Sequence, residues 1–143
     1  MDRVTPEQLS ETDIGDYDIF VFGSNESGHH GAGAALFAEK HLGAIAGKGF
    51  GLEGNTFAIP TKDWTIQQLD IAIIEFYVKR FIAFVEKTSN PKIRFLVTKI
   101  GCGLAGFTPE EIAPFFKKLR DNPLVWLPQD FINIIDKQSV YDR

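Results

Sequence analysis

Cysteine is nearly absent from this chain of 143 residues, because Cys102 is the only one. A single thiol excludes an internal disulfide and any zinc site built from several cysteines. It fits a reducing environment, so we expect a cytoplasmic protein. The chain also lacks an apolar run near the ~18 residues that a membrane span needs. No basic segment followed by an apolar one opens the sequence, which predicts no signal peptide.

A basic surplus is missing as well. The net charge is −4, with 15 basic and 19 acidic residues, which does not favour bulk nucleic-acid binding. The acidic excess is local, since residues 1–31 hold seven acids against one base, Arg3. The rest of the chain is slightly basic. This charge is compatible with a small anionic ligand, and it is equally compatible with a protein that has no such ligand.

The composition that remains is that of an ordinary globular protein. Apolar residues make up 44% of the chain and charged residues 24%. The length predicts one domain over residues 1–143 with a core large enough to need no disulfide.

Glycine is distributed unevenly. Of 13 glycines, nine lie from Gly23 to Gly54 and three from Gly101 to Gly106. Glycine lets a backbone approach a ligand closely, so two glycine-rich turns in one small domain suggest two loops that border one cleft.

Strands and helices alternate in the predicted secondary structure. We expect strands over 17–22, 56–60, 93–98 and 124–127, and helices over 32–42, over 67–87 and from 108 onward. Residues 44–55 are expected to be irregular, and 131–135 are either a closing helix or a strand. This order predicts βαβ units and a mainly parallel sheet in an α/β domain.

The ends of the predicted strands carry the polar and glycine-rich segments. Right-handed crossovers bring the loops after parallel strands to one edge of the sheet, where ligands usually bind. Both glycine-rich turns and residues 61–63 follow strands directly. The three segments are therefore expected to meet at one edge.

A helix start is encoded at Thr108. Thr108 would cap the helix, Pro109 would occupy its first position and Glu111 would complete a capping box. Pro114 would remove a hydrogen bond inside that helix. Either one turn forms and then kinks, or the helix begins near Pro114.

The first glycine-rich turn holds Asn25, His29 and His30 before a predicted helix N-terminus. Such an N-terminus can bind an anion, although the segment can equally be a tight turn. It matches neither a P-loop nor the dinucleotide fingerprint. The adjacent histidines have no carboxylate at metal spacing, so we predict no metal.

Lys62, Asp63 and Cys102 each have a structural interpretation and a chemical one. Lys62 is an exposed lysine, or it contacts phosphate or acts as a nucleophile. Asp63 is an acid, a base or a turn residue. Cys102 is a small packing residue, or a nucleophile that would need a base from the first turn.

Three segments together resemble the macrodomain family, in the branch of lysine-dependent glycohydrolases that remove terminal ADP-ribose. Residues 30–43 resemble its glycine-rich helix start, and 59–62, Ile-Pro-Thr-Lys, resemble its strand-end Ile-Thr-Lys. The most specific match is 99–104, Lys-Ile-Gly-Cys-Gly-Leu. Residues 20–25 also look like compact macrodomain-related proteins of bacteria and phages.

The resemblance implies a three-layer α/β/α macrodomain-like fold that binds ADP-ribose or a related NAD-derived nucleotide, without a cofactor. An ADP-ribosylated macromolecule is an implied partner, and a membrane is not. Lys62 matches the catalytic lysine, which attacks the anomeric carbon of the distal ribose. The implied ligand-binding residues are Gly23, Ser24, Asn25, Gly31, Ala32, Gly33, Gly101, Cys102, Gly103, Leu104, Ala105 and Gly106.

The departures from this branch concern its carboxylates. Ala105 stands where the branch has its partner aspartate, and the adenine-recognising Gly-Asp pair is missing, with Asp16 or Asp18 as possible substitutes. Asp63 and His30 are the nearest replacements for the lost catalytic carboxylate. A glycohydrolase, a non-catalytic nucleotide-binding module and an interaction protein that keeps only the fold therefore all remain open.

Overall fold

The computed structural model describes residues 2–141 and shows an α/β fold. Its strands are β1 (Asp18–Asn25), β2 (Gly51–Glu53), β3 (Thr56–Lys62), β4 (Arg94–Val97) and β5 (Val125–Trp126). Its α-helices are α1 (Gly33–His41), α2 (Ile71–Glu86), α3 (Pro109–Ile112) and α4 (Gln129–Tyr141). Short 3₁₀ segments lie at Glu11–Asp13, Gly103–Ala105 and Ala113–Leu119.

The five strands form one mixed sheet in the order β2-β3-β1-β4-β5. Strands β3, β1, β4 and β5 run parallel, as predicted, and β2 is antiparallel to β3. The expectation that 44–55 is irregular is wrong at β2. That strand has three residues, of which the first is a glycine, and it is too short for a periodic pattern to reveal.

Strand β1 is buried on both faces. Phe20 and Phe22 pack with Ala38 and Leu42 of the α1 segment. Ile19 and Val21 face the other way, into the larger cluster that α2, the 3₁₀ segment Ala113–Leu119 and α4 complete. Because successive side chains of a strand point to opposite faces, the apolar run of β1 packs against helices on both sides of the sheet.

Two element boundaries differ from the expected ones near the cleft. Strand β1 continues through Asn25, because its residues keep pairing with β3, with a shift in register after Ser24. Helix α2 begins at Ile71 rather than at 67. The Leu69 amide donates to the Thr61 carbonyl (3.1 Å), so this segment extends alongside the end of β3.

The helix start at Thr108 forms as predicted. The Thr108 side chain accepts from the Glu111 amide, and the Glu111 carboxylate closes the capping box. Helix α3 lasts only one turn, and a 3₁₀ segment from Ala113 follows, because Pro114 cannot donate the next α-helical hydrogen bond. Residues 131–135, left open above, lie in helix α4.

Candidate functional site

A cleft of about 610 Å³ opens where β1, β3 and β4 end. The start of α1, the end of β3 and the turn after β4 all border it, so the three predicted segments do converge. Its lining residues are Gly23, Ser24, Asn25, His29, Gly31, Ala32, Gly33, Ala34, Ala35, Thr61, Lys62, Ile66, Thr98, Lys99, Ile100, Gly101, Cys102 and Ala105.

The N-terminus of α1 presents backbone donors to the cleft. No side chain caps this helix at Ala32, and Gly33 to Ala35 line the cleft. The first N–H groups of an α-helix have no intrahelical acceptor, and they carry the positive end of the helix dipole. Gly33 adopts a left-handed φ of 56°, which a residue with a side chain rarely accepts. This end can therefore hold an anion.

The charged groups that line the cleft are cationic. Within the described residues, neither Asp nor Glu lines it, and Lys62 forms no ion pair or side-chain hydrogen bond. Lys99 is paired with Asp130 (2.9 Å) and Glu7 (3.2 Å), and these contacts raise its pKa. Lys62 is thus the lysine whose charge is available to a ligand.

Asp63 does not line the cleft and instead builds the turn after β3. Its Oδ1 accepts from the Thr65 hydroxyl (2.7 Å), the Thr65 amide (2.8 Å) and the Gln67 amide (3.0 Å). These bonds, the Thr65 hydroxyl first, hold the Asp63 pKa below its usual value. Of the two interpretations, the turn residue is the one that the geometry supports.

His30 is also placed away from a direct ligand contact. It is buried, does not line the cleft, and packs against the Phe22 ring with centroids 5.4 Å apart. His30 therefore does not line the cleft as the expected acid or base would, and it borders the cleft only through Ser24, whose Oγ lies 3.4 Å from its Nε2. His29, the other histidine of the first turn, is the exposed one, and it lines the cleft.

Asn25 lines the cleft, but its amide organises the first turn. Its Nδ2 donates to the His29 carbonyl (2.7 Å), and its Oδ1 accepts from the Ser27 hydroxyl (2.7 Å) and the His29 amide (2.9 Å). Asn25 thereby fixes the path of the chain from β1 towards α1.

The turn after β4 contributes only part of the predicted set. Gly101, Cys102 and Ala105 line the cleft, whereas Gly103 and Gly106 are not among the lining residues. The side chain of Leu104, which was also predicted to bind the ligand, lies outside what the structure describes. Burial raises the pKa of the Cys102 thiol to about 11, so it is protonated at neutral pH. A protonated thiol is a poor nucleophile, which favours the packing role.

The proposed substitutes for an adenine-recognising aspartate lie elsewhere. Asp18 stands at the start of β1, at the opposite end from the cleft, and its carboxylate accepts from Arg94. Asp16 precedes it on the exposed surface. Neither takes part in the cleft.

Several lining residues were not predicted individually to bind the ligand. Thr61 belongs to the segment 61–63 expected at this edge, and Lys99 and Ile100 belong to the motif 99–104, whereas Thr98 lies outside both. Nothing in the sequence indicates that Ile66 lines the cleft, because its position depends on a turn in which it adopts a left-handed φ of 66°. A β-branched residue in that conformation is a rare outlier.

A smaller recess of about 230 Å³ lies next to the cleft and shares Thr98 and Lys99 with it. Residues 5–7 and Pro128 complete its walls. Among the described residues, no three His, Cys, Asp or Glu side chains come together as potential metal ligands. Within residues 2–141, no helix has the length and apolar character that crossing a bilayer requires.

In comparisons with protein-family models, curated proteins and solved structures, nothing matches this chain.

Proposed function

We propose that the cleft binds ADP-ribose or a related NAD-derived nucleotide. The observation that carries this proposal is that an uncapped α1 N-terminus and Lys62 border the same cleft. Within residues 2–141, no carboxylate lines that cleft and Lys62 has no ion-pair partner. Backbone N–H groups, a helix dipole and a lysine ammonium all favour phosphate oxygens. A diphosphate would lie between these two elements.

The dimensions support a ligand of this size. Small-molecule sites usually measure about 300–1,000 Å³, and the cleft of about 610 Å³ lies in that range. The adjoining recess gives a second compartment of about 230 Å³ for one end of an elongated ligand. A nucleotide with two sugars could occupy both compartments, whereas a free phosphate would fill only a small part of one.

The proposal includes the three-layer macrodomain-like architecture and the cytoplasmic location. Helices packed on both faces of the sheet and the parallel core strands support the architecture. The single cysteine supports the location.

Calorimetric titration with ADP-ribose tests the binding. The wild type should bind, and Gly33→Glu should not, because a carboxylate at the α1 N-terminus repels the diphosphate. Gly47→Glu is the matched control, since Gly47 also has a left-handed φ (92°) and open space around it but does not line the cleft. Absence of binding by folded wild type at millimolar ADP-ribose would refute the proposal.

Hydrolysis of an ADP-ribosyl glycosidic bond is the second candidate function, and the position of Lys62 favours it. In its neutral amine form, Lys62 is placed to attack an anomeric carbon: the bond to the leaving group breaks, the attacking nitrogen loses a proton, and the resulting glycosylamine opens to an imine. Among the residues that the structure describes, no carboxylate lines the cleft to assist, since Ala105 carries none and Asp63 faces its own turn. Binding without turnover is therefore the first candidate.

Borohydride trapping separates these two functions. An imine between Lys62 and the ribose would be reduced to a stable adduct on incubation with an ADP-ribosylated peptide. Lys62→Ala should abolish the adduct, and Lys79→Ala, an exposed lysine on α2, should leave it unchanged. Ligand binding without adduct or turnover identifies a binding module.

The third hypothesis, an interaction protein that keeps only the fold, would be favoured by an exposed Phe115 or Phe116 at an interface. Phe116 is fully buried and Phe115 packs partly against the core. The phenylalanines therefore give that hypothesis no support.

A further inference from the structure

Three side chains beside the cleft, Ser24, His30 and Glu39, contact one another in series, and nucleotide binding does not require these contacts. Ser24 Oγ lies 3.4 Å from His30 Nε2, and His30 Nδ1 lies 3.5 Å from Glu39 Oε1. Ser24 lines the cleft at the end of β1, and Glu39 reaches the pair from α1. Hydroxyl, imidazole and carboxylate in this order match a serine nucleophile, its base and the group that orients the base.

Two atoms of this set have no other partner. In the part of the chain that the structure describes, His30 Nδ1 and Glu39 Oε1 are buried and make no hydrogen bond within normal limits. Buried polar groups in folded proteins are nearly always hydrogen-bonded, so each unsatisfied one needs an explanation. These two atoms face each other, and a slightly shorter distance between them would give each a hydrogen-bond partner. Catalytic hydrogen bonds are often long before a ligand binds.

The contact with Glu39 determines which nitrogen of His30 can act as a base. A carboxylate only accepts hydrogen bonds, so the proton of neutral His30 belongs on Nδ1. Nε2 then carries a lone pair and can accept from the Ser24 hydroxyl, whose other acceptor is the Asn25 carbonyl at 3.3 Å. The imidazole is held in this orientation, because it is 3% exposed and its ring packs edge-on against Phe22.

We propose that Ser24 is a nucleophile activated by His30 and Glu39, and that the cleft hydrolyses esters of small carboxylic acids. Ser24 Oγ attacks the carbonyl carbon while His30 Nε2 takes its proton. The alcohol then leaves with that proton, and an acyl-serine remains. Water, deprotonated by His30, attacks the acyl-serine, which releases the acid and restores the hydroxyl.

The same cleft supplies donors for the negative charge that develops on the carbonyl oxygen. Gly33, Ala34 and Ala35, at the uncapped N-terminus of α1, line the cleft together with Ser24, and the first backbone N–H groups of a helix have no intrahelical acceptor. Backbone N–H groups of this kind stabilise oxyanions in acyl transfer. This activity needs neither Lys62 nor a nucleotide, so it stands or falls independently of the proposed function.

Labelling with a fluorophosphonate tests the proposal directly. An activated serine displaces fluoride from the phosphorus of this probe, and the adduct is located by peptide mass spectrometry. We expect one label, on Ser24, and a labelling rate at least ~10-fold lower in Glu39→Gln, as for loss of general-base assistance. Hydrolysis of p-nitrophenyl acetate should fall in parallel in Glu39→Gln and Ser24→Ala.

Two variants are matched controls. His41→Ala removes a histidine that also pairs with a glutamate, Glu11 at 2.9 Å, but lies outside the cleft. Ser139→Ala removes a half-buried serine that donates only to the Ile135 carbonyl. Both should label at the wild-type rate.

The proposal is overturned if folded wild type remains unlabelled at millimolar probe, or if Glu39→Gln labels as fast as wild type. It is also overturned if His29→Ala, rather than the buried pair, removes the labelling. Should Glu39→Gln fail to fold, imidazole nitrogen NMR of the wild type decides. A neutral His30 protonated on Nδ1 supports the proposal, and protonation on Nε2 contradicts it.

Discussion

At the scale of single residues, Asp18 and Arg94 show how a side chain far from the cleft stabilises the sheet. Arg94 Nε donates to Asp18 Oδ1 at 2.8 Å, and the Gly15 amide donates to Oδ2 at 2.9 Å. Burial opposes ionisation of Asp18, but the bonds from Arg94 and Gly15 outweigh it and lower the Asp18 pKa. This ion pair joins the first residues of β1 and β4, which are neighbours in the sheet.

Asp18→Asn should lower the free energy of unfolding by about 1.5–3 kcal/mol at pH 7, the usual value of a hydrogen bond to a charged group. Since the folded pKa is below the unfolded value of ~3.9, this stabilisation is complete above that value. It is lost as the pH falls through the folded pKa. Urea unfolding at pH 7 and near pH 3 checks this, and an equal difference between wild type and variant at both pH values would contradict it.

Cys102 is a second residue whose chemistry its surroundings determine. Burial raises its pKa to about 11, and the carboxylates of Glu110, Asp130 and Glu111 add to the effect while Lys99 opposes it. Alkylation by iodoacetamide should therefore be slow at pH 7.5 and should accelerate through pH 10. Mass spectrometry over this range measures the rate. A fast reaction at neutral pH would show that the thiol is ionised, and Cys102 would again be a candidate nucleophile.

At the scale of elements, the capping box at α3 is a feature that the sequence alone predicts. Thr108 and Glu111 exchange hydrogen bonds as the spacing requires. Thr108→Ala should therefore cost about 1 kcal/mol of stability, and Thr108→Ser should restore most of it. Chemical denaturation measures both. An alanine variant as stable as the wild type would mean that packing of the following segment alone maintains α3.

The elements that were predicted incorrectly share a physical cause. Strand β2 and residues 67–69 owe their conformation to pairing with β3, which is a long-range contact without a local pattern. Strand β1 is longer than its apolar run because Ser24 and Asn25 pair with β3. Local propensity identified the long helices and buried strands, whereas backbone pairing at the sheet edge determined the boundaries beside the cleft.

At the scale of the whole molecule, the parallel topology explains why distant segments meet. Glycine-rich turns after β1 and β4, and Lys62 at the end of β3, were expected at one edge because parallel strands end there. The structure places them on one cleft. The partners of individual side chains could not be read in this way. His30 turned inward, Asp63 capped its own turn, and Glu39 joined His30 through helix packing that no spacing rule describes.

The most direct test of the central claim is an amide NMR titration with ADP-ribose. If the three segments form one nucleotide site, resonances of Gly33, Lys62 and Gly101 should shift together and saturate along a single binding curve, while Gly47 stays unchanged. Shifts confined to one segment, or different curves for different segments, would contradict a shared site. No shift at millimolar ligand would contradict the nucleotide site itself.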